Sequence, residues 1–66
     1  MKITVNGAER VFEDVSTLGD LLARTGLAEK PVVVEHNKRA LFPREIAATP
    51  VRDGDVIEIV QITAGG

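Results

Sequence analysis

The spacing of apolar and polar residues changes several times along this chain, and each change marks an element. Met1, Ile3 and Val5 alternate with Lys2 and Thr4, the two-residue period of a strand with one buried face. Asn6-Gly7 then interrupts the alternation. That dipeptide accepts the two positive φ angles of a type I′ turn, so Ala8 to Phe12 is predicted to return antiparallel as a hairpin partner. After Thr17 the period becomes helical, with Leu18, Leu21 and Leu22 as the apolar stripe. Thr17 and Asp20 have the spacing of a capping box, and Asp20 places negative charge at the positive end of the helix dipole. Gly19 weakens this helix, because glycine loses the most backbone freedom on ordering. Gly26 supplies a left-handed stop against which Leu27 folds back, giving a helix of about two to three turns.

Beyond Lys30-Pro31, the run Val32-Val33-Val34 is too β-branched and too short for a helix, which predicts a third strand ending near Glu35. Asn37-Lys38 makes the next turn, and Ala40 to Phe42 reads as a short fourth strand stopped by Pro43, which cannot donate to a ladder. Arg44 to Ala48 fits a single helical turn, Thr49-Pro50 breaks the chain, and Asp53-Gly54-Asp55 is a turn signal. In the last run Val56, Val60 and Ile62 alternate with Ile57 and Ile59, so both faces are apolar. That pattern predicts a strand from Ile57 to Ile62 buried on both sides, at the centre of the sheet. The order β-β-α-β-β-β, with the last strand beside and parallel to the first, is the α+β ubiquitin-like β-grasp: a mixed sheet with one main helix across one face. Residues 1–62 are predicted to form this domain. The fold hosts many functions and supplies none by itself.

Thr63, Ala64, Gly65 and Gly66 carry no large apolar anchor, which predicts a flexible tail over residues 63–66 ending in Gly-Gly. Four extended residues reach roughly 13 Å, enough to carry the Gly66 carboxylate into another protein's active site. Gly65 has no Cβ to block a narrow channel, and Ala64 is nearly as slim. The α-carboxylate is therefore the expected reactive group, and the domain its handle.

Composition narrows the choice of chemistry. A chain of 66 residues forms one domain that buries about 60% of its unfolded surface, with little room for an ordinary catalytic cleft. With no cysteine there is neither a disulfide nor a zinc-thiolate site, and any sulfur the chain carries must sit elsewhere. No apolar run reaches membrane-spanning length and Met1-Lys2-Ile3 leads straight into a strand, so a cytoplasmic location is expected. A net charge of -2, with Phe12 and Phe42 as the only aromatics, offers nucleic acid neither a basic footprint nor stacking platforms. His36 reads as a surface turn residue without partners for metal binding or proton transfer. Asp53, Asp55 and Glu58 read as turn residues, since a cation-binding loop needs more ligands at defined spacing. Lys38, Arg39 and Arg44 read as a solvated basic face, the sharper alternative being to steer an acidic partner. Val60 and Ile62 either pack into the domain or serve as docking contacts near the tail. No nucleophile-base pair or metal-ligand spacing is visible, so the chain is expected not to be an enzyme in its own right.

Several of these segments together carry a resemblance. Asn6-Gly7 after the opening strand, Thr17-Leu18-Gly19-Asp20-Leu21-Leu22, Val32-Val33-Val34-Glu35 before Asn37, Pro43-Arg44-Glu45, Asp53-Gly54-Asp55, and Ile57-Glu58-Ile59-Val60 ahead of Gly65-Gly66 occur in this order over the whole chain. In order and spacing they resemble the sulfur carrier proteins of thiamine (thiazole) biosynthesis, the ThiS family. Ala64 stands where many members have a third glycine, and Phe42 where a small aliphatic residue is more usual, on what could be a partner-facing patch.

The resemblance implies covalent modification at Gly66. An E1-like adenylating enzyme (ThiF type) would use ATP to convert the Gly66 carboxylate to an acyl-adenylate. Sulfur from a cysteine desulfurase route, or another donor, would displace AMP. The resulting C-terminal thiocarboxylate would serve thiazole synthase (ThiG type). The chain would then be a modified protein cosubstrate with no bound cofactor, and Gly65 and Ala64 its lead-in. Cousins with the same tail serve molybdopterin synthesis or tRNA thiolation. Molybdopterin members tend to carry extra residues after the first strand, where this chain turns at once at Asn6-Gly7. A non-covalent ubiquitin-like adaptor, binding through its sheet, is the alternative from another class.

Overall fold

The computed structural model describes residues 1–62, so the expected tail over residues 63–66 lies outside the described residues. Seven elements follow one another: β1 (Lys2–Val5), β2 (Ala8–Val11), α1 (Leu18–Arg24), β3 (Val32–His36), β4 (Arg39–Ala40), α2 (Pro43–Ile46) and β5 (Val56–Gln61). The strands form one mixed sheet in the order β2-β1-β5-β3-β4. β5 lies at its centre, parallel to β1 and antiparallel to β3, with Val5 opposite Ile57 and Val34 opposite Ile59. This is the β-grasp arrangement expected from the element order.

Local chemistry fixes both hairpins. Asn6 and Gly7 have φ values of 51° and 83°, and Asn37 and Lys38 values of 50° and 71°, so each β-turn has the two positive φ angles of type I′. Lys38 is the unusual occupant, because a long side chain gains nothing from the left-handed region. The fourth strand is shorter and earlier than expected, Arg39–Ala40, and α2 begins at Pro43 instead of Arg44. Proline is well placed there, since the first helical N–H has no partner to lose. The Phe42 N–H donates to Glu45 Oε1 at 2.9 Å and secures this short turn.

Helix α1 starts and stops as its sequence predicts. The Asp20 N–H donates to Thr17 Oγ1 at 3.2 Å, while Asp20 Oδ2 accepts from the N–H groups of Thr17 at 3.1 Å and Ser16 at 3.0 Å. These contacts, the Ser16 N–H foremost, hold the Asp20 carboxyl below its ordinary value. At the other end, Leu27 N–H bonds Leu22 C=O and Gly26 N–H bonds Ala23 C=O, the paired bonds of a Schellman stop, with Gly26 at φ 78°.

The core lies between α1 and one face of the sheet. Leu18, Leu21 and Leu22 pack with Ile3, Val34, Ile57 and Ile59, and Phe12, Val15, Ile46 and Val51 close its margins. Here one expectation is corrected. β5 is central but buried on one face only: Ile57 and Ile59 are buried, whereas Val56, Val60 and Ile62 are exposed. A single main helix covers one side of the sheet, and among the described residues nothing covers the other.

Gly19 also gains a reason that its helix propensity hides. The first turn of α1 lies directly on the Ala47–Thr49 segment, with Leu18 N–H bonded to Thr49 C=O and Gly19 N–H to Ala47 C=O. A Cβ at position 19 would sit 2.8 Å from the Ala47 carbonyl oxygen. Alanine elsewhere in a helix gains about 1 kcal/mol over glycine. Here the displaced backbone outweighs that gain, and Gly19→Ala is expected to destabilise the domain by roughly 1–3 kcal/mol. A urea midpoint at or above the parent's would show that the contact has slack.

Candidate functional site

The proposed reactive end, Gly66, and its lead-in, Gly65 and Ala64, lie outside the described residues, so the describable site is the platform that leads to them. That platform is β5. Its ladder with β1 is short, with only Thr4–Val56 and Val5–Ile57 in register. Side chains from the two turns extend it. Asn6 Nδ2 donates to Ile59 C=O at 3.1 Å, and the Ile59 N–H donates to Asn6 Oδ1 at 2.7 Å. On the opposite edge, the Val56 N–H donates to Asn37 Oδ1 at 2.8 Å and the Asn37 N–H to Val56 C=O at 2.8 Å. Among the described residues, the hydrogen bond nearest the tail runs from Ile62 N–H to Pro31 C=O, at 2.8 Å.

The two asparagines therefore do more than permit a turn: they grip the central strand by its backbone from either side. Replacing Asn6 by glycine separates the two roles, because glycine keeps the left-handed turn and removes the grip. Asn6→Gly orphans a donor and an acceptor on Ile59, and is expected to cost about 1–3 kcal/mol. Faster hydrogen exchange at the Ile59 amide, with the hairpin amides of β1 and β2 still protected, is the expected signature. Uniform loss of protection would place the effect in the turn instead.

The remaining candidate residues fall into clear places. His36 is corrected from a surface turn residue to the last residue of β3, half-buried, with Nε2 2.8 Å from Asp55 Oδ2. Asp55 is a turn organiser: Oδ2 also accepts from the Arg52 N–H at 2.9 Å, and Oδ1 accepts from Asn37 Nδ2 at 3.1 Å. Partial burial pushes the Asp55 carboxyl up, but the hydrogen bonds from Arg52, His36 and Asn37 outweigh it and hold the group below its ordinary value. Asp53 likewise serves a turn, accepting from the Lys2 N–H at 2.6 Å. Glu58 does not: it stands on the open face of β5, opposite Glu35. Among the described residues no three His, Cys, Asp or Glu side chains converge as a metal site. No described helix is long and apolar enough to cross a membrane.

Lys38, Arg39 and Arg44 are exposed, and Arg44 lies over the Phe42 ring with its guanidinium carbon 5.2 Å from the centroid. Phe42 itself is largely exposed, as is Val60 at 62%, with Ile62 at 50%, Val33 at 46% and Val56 at 42%. Val33 and Val60 are cross-strand partners and Val56 has the same parity on β5, so these three valines share the open face. On the helix side, Ile62 also borders an apolar groove of about 590 Å³ lined by Leu22, Pro31, Val32 and Ile46. The residues just before position 63 therefore stand on an exposed, largely apolar platform.

Comparison with known proteins gives these features a setting. The model of the ThiS family matches residues 2–66. The sulfur carrier protein ThiS of Bacillus subtilis is 41% identical over 65 residues, covering 97% of this chain and 98% of that protein. A thiazole synthase of Paramagnetospirillum magneticum is 38% identical over 66 residues, and there the whole chain spans only 20% of the relative's length. The crystal structure of ThiS from Geobacter metallireducens superposes with a TM-score of 0.81 at 32% identity, with 100% of both chains covered.

Proposed function

The chain belongs to the ThiS family, and from that premise we propose that it is a sulfur carrier of thiamine biosynthesis, loaded at the carboxylate of Gly66. The observation that supports this most strongly is the match from end to end: the family model runs through residue 66, and the carrier from Bacillus subtilis is covered almost completely. The platform fits the role. A central strand held by both neighbours and by two asparagine side chains leads to Ile62, four residues before Gly66.

The chemistry follows from the reactivity of a carboxylate. Its carbon is a poor electrophile, so an E1-like adenylating partner joins the Gly66 carboxylate to the α-phosphate of ATP and releases pyrophosphate. Hydrosulfide, or an equivalent sulfur donor, then attacks the acyl carbon. The acyl–oxygen bond to AMP breaks, AMP leaves with the electron pair, and one sulfur stands where one carboxylate oxygen was. The chain contributes position and access, while the partner contributes catalysis. Gly65 and Ala64 form the slim lead-in that enters the partner's site. The thiocarboxylate is a soft nucleophile suited to a thiazole-forming acceptor, and the match to one fifth of a thiazole synthase supports that enzyme class as the acceptor.

ATP–pyrophosphate exchange tests the first step. Labelled pyrophosphate is expected to enter ATP when the adenylating enzyme, Mg²⁺ and this chain are all present, and not when the chain is omitted. Equal exchange without the chain would remove Gly66 as the activated group.

A further inference from the structure

The open face of the sheet carries an arrangement that the fold does not need. Glu35 and Glu58 are direct cross-strand partners on β3 and β5, and Val33 and Val60 are the next pair on the same face. All four are exposed, and between them lies a depression of about 130 Å³. Like charges placed directly opposite one another on a sheet are destabilising. Neither carboxylate has an ion-pair partner among the described residues. Free in solution, this chain therefore keeps two unneutralised acids at the rim of an apolar patch.

We propose that Glu35 and Glu58 together receive one basic side chain, an arginine or lysine, from the enzyme that activates Gly66, while Val33, Val56 and Val60 meet an apolar surface around it. This rests on the reading that Gly66 is loaded by a partner enzyme. Charge selects this occupant. A second copy docking by the same face would bring its own Glu35 and Glu58 toward the pair. A planar guanidinium satisfies two carboxylates at once, and the flanking valines exclude water and strengthen the contact. Glu58 and Val60 lie on the strand that leads toward Gly66, so a partner seated here is anchored a few residues from the end that enters its active site.

The purified E1-like adenylating enzyme of the same organism is the probe, with the thiazole synthase as a second. The double variant Glu35→Gln/Glu58→Gln keeps the shape of the pair, and Glu13→Gln/Glu29→Gln removes the same total charge from exposed positions outside the sheet. The first variant is expected to melt at or above the parent's temperature, since it removes a repulsion. It is expected to bind the adenylating enzyme on the order of tenfold or more weakly, with a flatter salt dependence, while the control stays near the parent. Pyrophosphate exchange should show this as a raised KM with kcat unchanged, and sulfur should still reach Gly66 at saturating chain. Equal affinity and equal salt dependence for the parent and the Glu35/Glu58 variant would overturn the proposal while leaving the carrier reading intact. So would an equal loss in the control, or a loss confined to thiazole synthase. If the parent chain itself supports no exchange, the carrier reading fails first and this inference with it.

Discussion

A chain shortened by Gly65 and Gly66 is expected to fold like the parent and to support no thiazole formation when it is the only carrier present. Both halves of that result follow from where the residues lie. Among the described residues every buried core residue falls between Ile3 and Ile59, and their backbone pairing ends with the Ile62 to Pro31 hydrogen bond. All of these core and pairing contacts are made by residues 1–62, so the melting temperature is expected to be unchanged. The loss of function is expected to be complete. Each extended residue spans about 3.5 Å, so the new carboxylate on Ala64 would fall roughly 7 Å short of the activating centre. A misplacement of about 1 Å can already cost a hundredfold in rate. A non-covalent adaptor working through its sheet would keep its activity after the same deletion. Complementation of a thiamine-requiring strain lacking its own carrier, read as growth without thiazole, distinguishes the two.

Ile57→Ala is expected to have the largest effect on the fold. Ile57 is fully buried on the central strand, opposite Val5 on one side and His36 on the other, within the cluster formed with Leu18 and Leu21. Truncation removes buried methyl and methylene groups where two ladders and the helix meet, so the surroundings have little freedom to collapse. The cost is expected to be about 2–5 kcal/mol. At about 0.05–0.15 kcal/mol per residue, a domain of this size has roughly 3–10 kcal/mol in total. A loss near 3 kcal/mol would lower the melting temperature by roughly 12–24 °C. The exposed neighbour in the same strand, Val60→Ala, should shift it by only a few degrees. Equal shifts for the two variants would mean that β5 does not divide into a buried and an open face.

The elements whose signals are local were legible in the residues themselves. Asn6-Gly7 marked its hairpin, Thr17 and Asp20 the start of α1, and Gly26 its end, because each acts through backbone angles or hydrogen bonds only a few residues away. The central place of β5 was also legible, since its apolar residues lie on both parities. What that pattern could not supply is coverage. Val56, Val60 and Ile62 look as apolar as core residues, and only the presence of one main helix leaves them open. The asparagine grips escaped for a different reason. Asn6 and Ile59 are 53 positions apart, and a turn-forming asparagine looks the same whether or not a distant strand needs its amide. His36 finds Asp55 across 19 positions, which moves it from the surface into the packing of the last turn. For Gly19, propensity registered the cost of a glycine, but the reason is the Ala47 carbonyl pressed against it. The proposed reactive end lies outside the described residues, and its reading rests on the small residues at 63–66, the absence of cysteine and the family resemblance.

Tandem mass spectrometry of the C-terminal peptide tests the central claim most directly, after incubation with ATP, Mg²⁺, the adenylating enzyme and sulfide. The predicted spectrum shows one oxygen replaced by one sulfur, located at Gly66, only when ATP is supplied. An unmodified Gly66 under conditions where the same enzyme loads another ThiS protein, or sulfur found on any other residue, would contradict it.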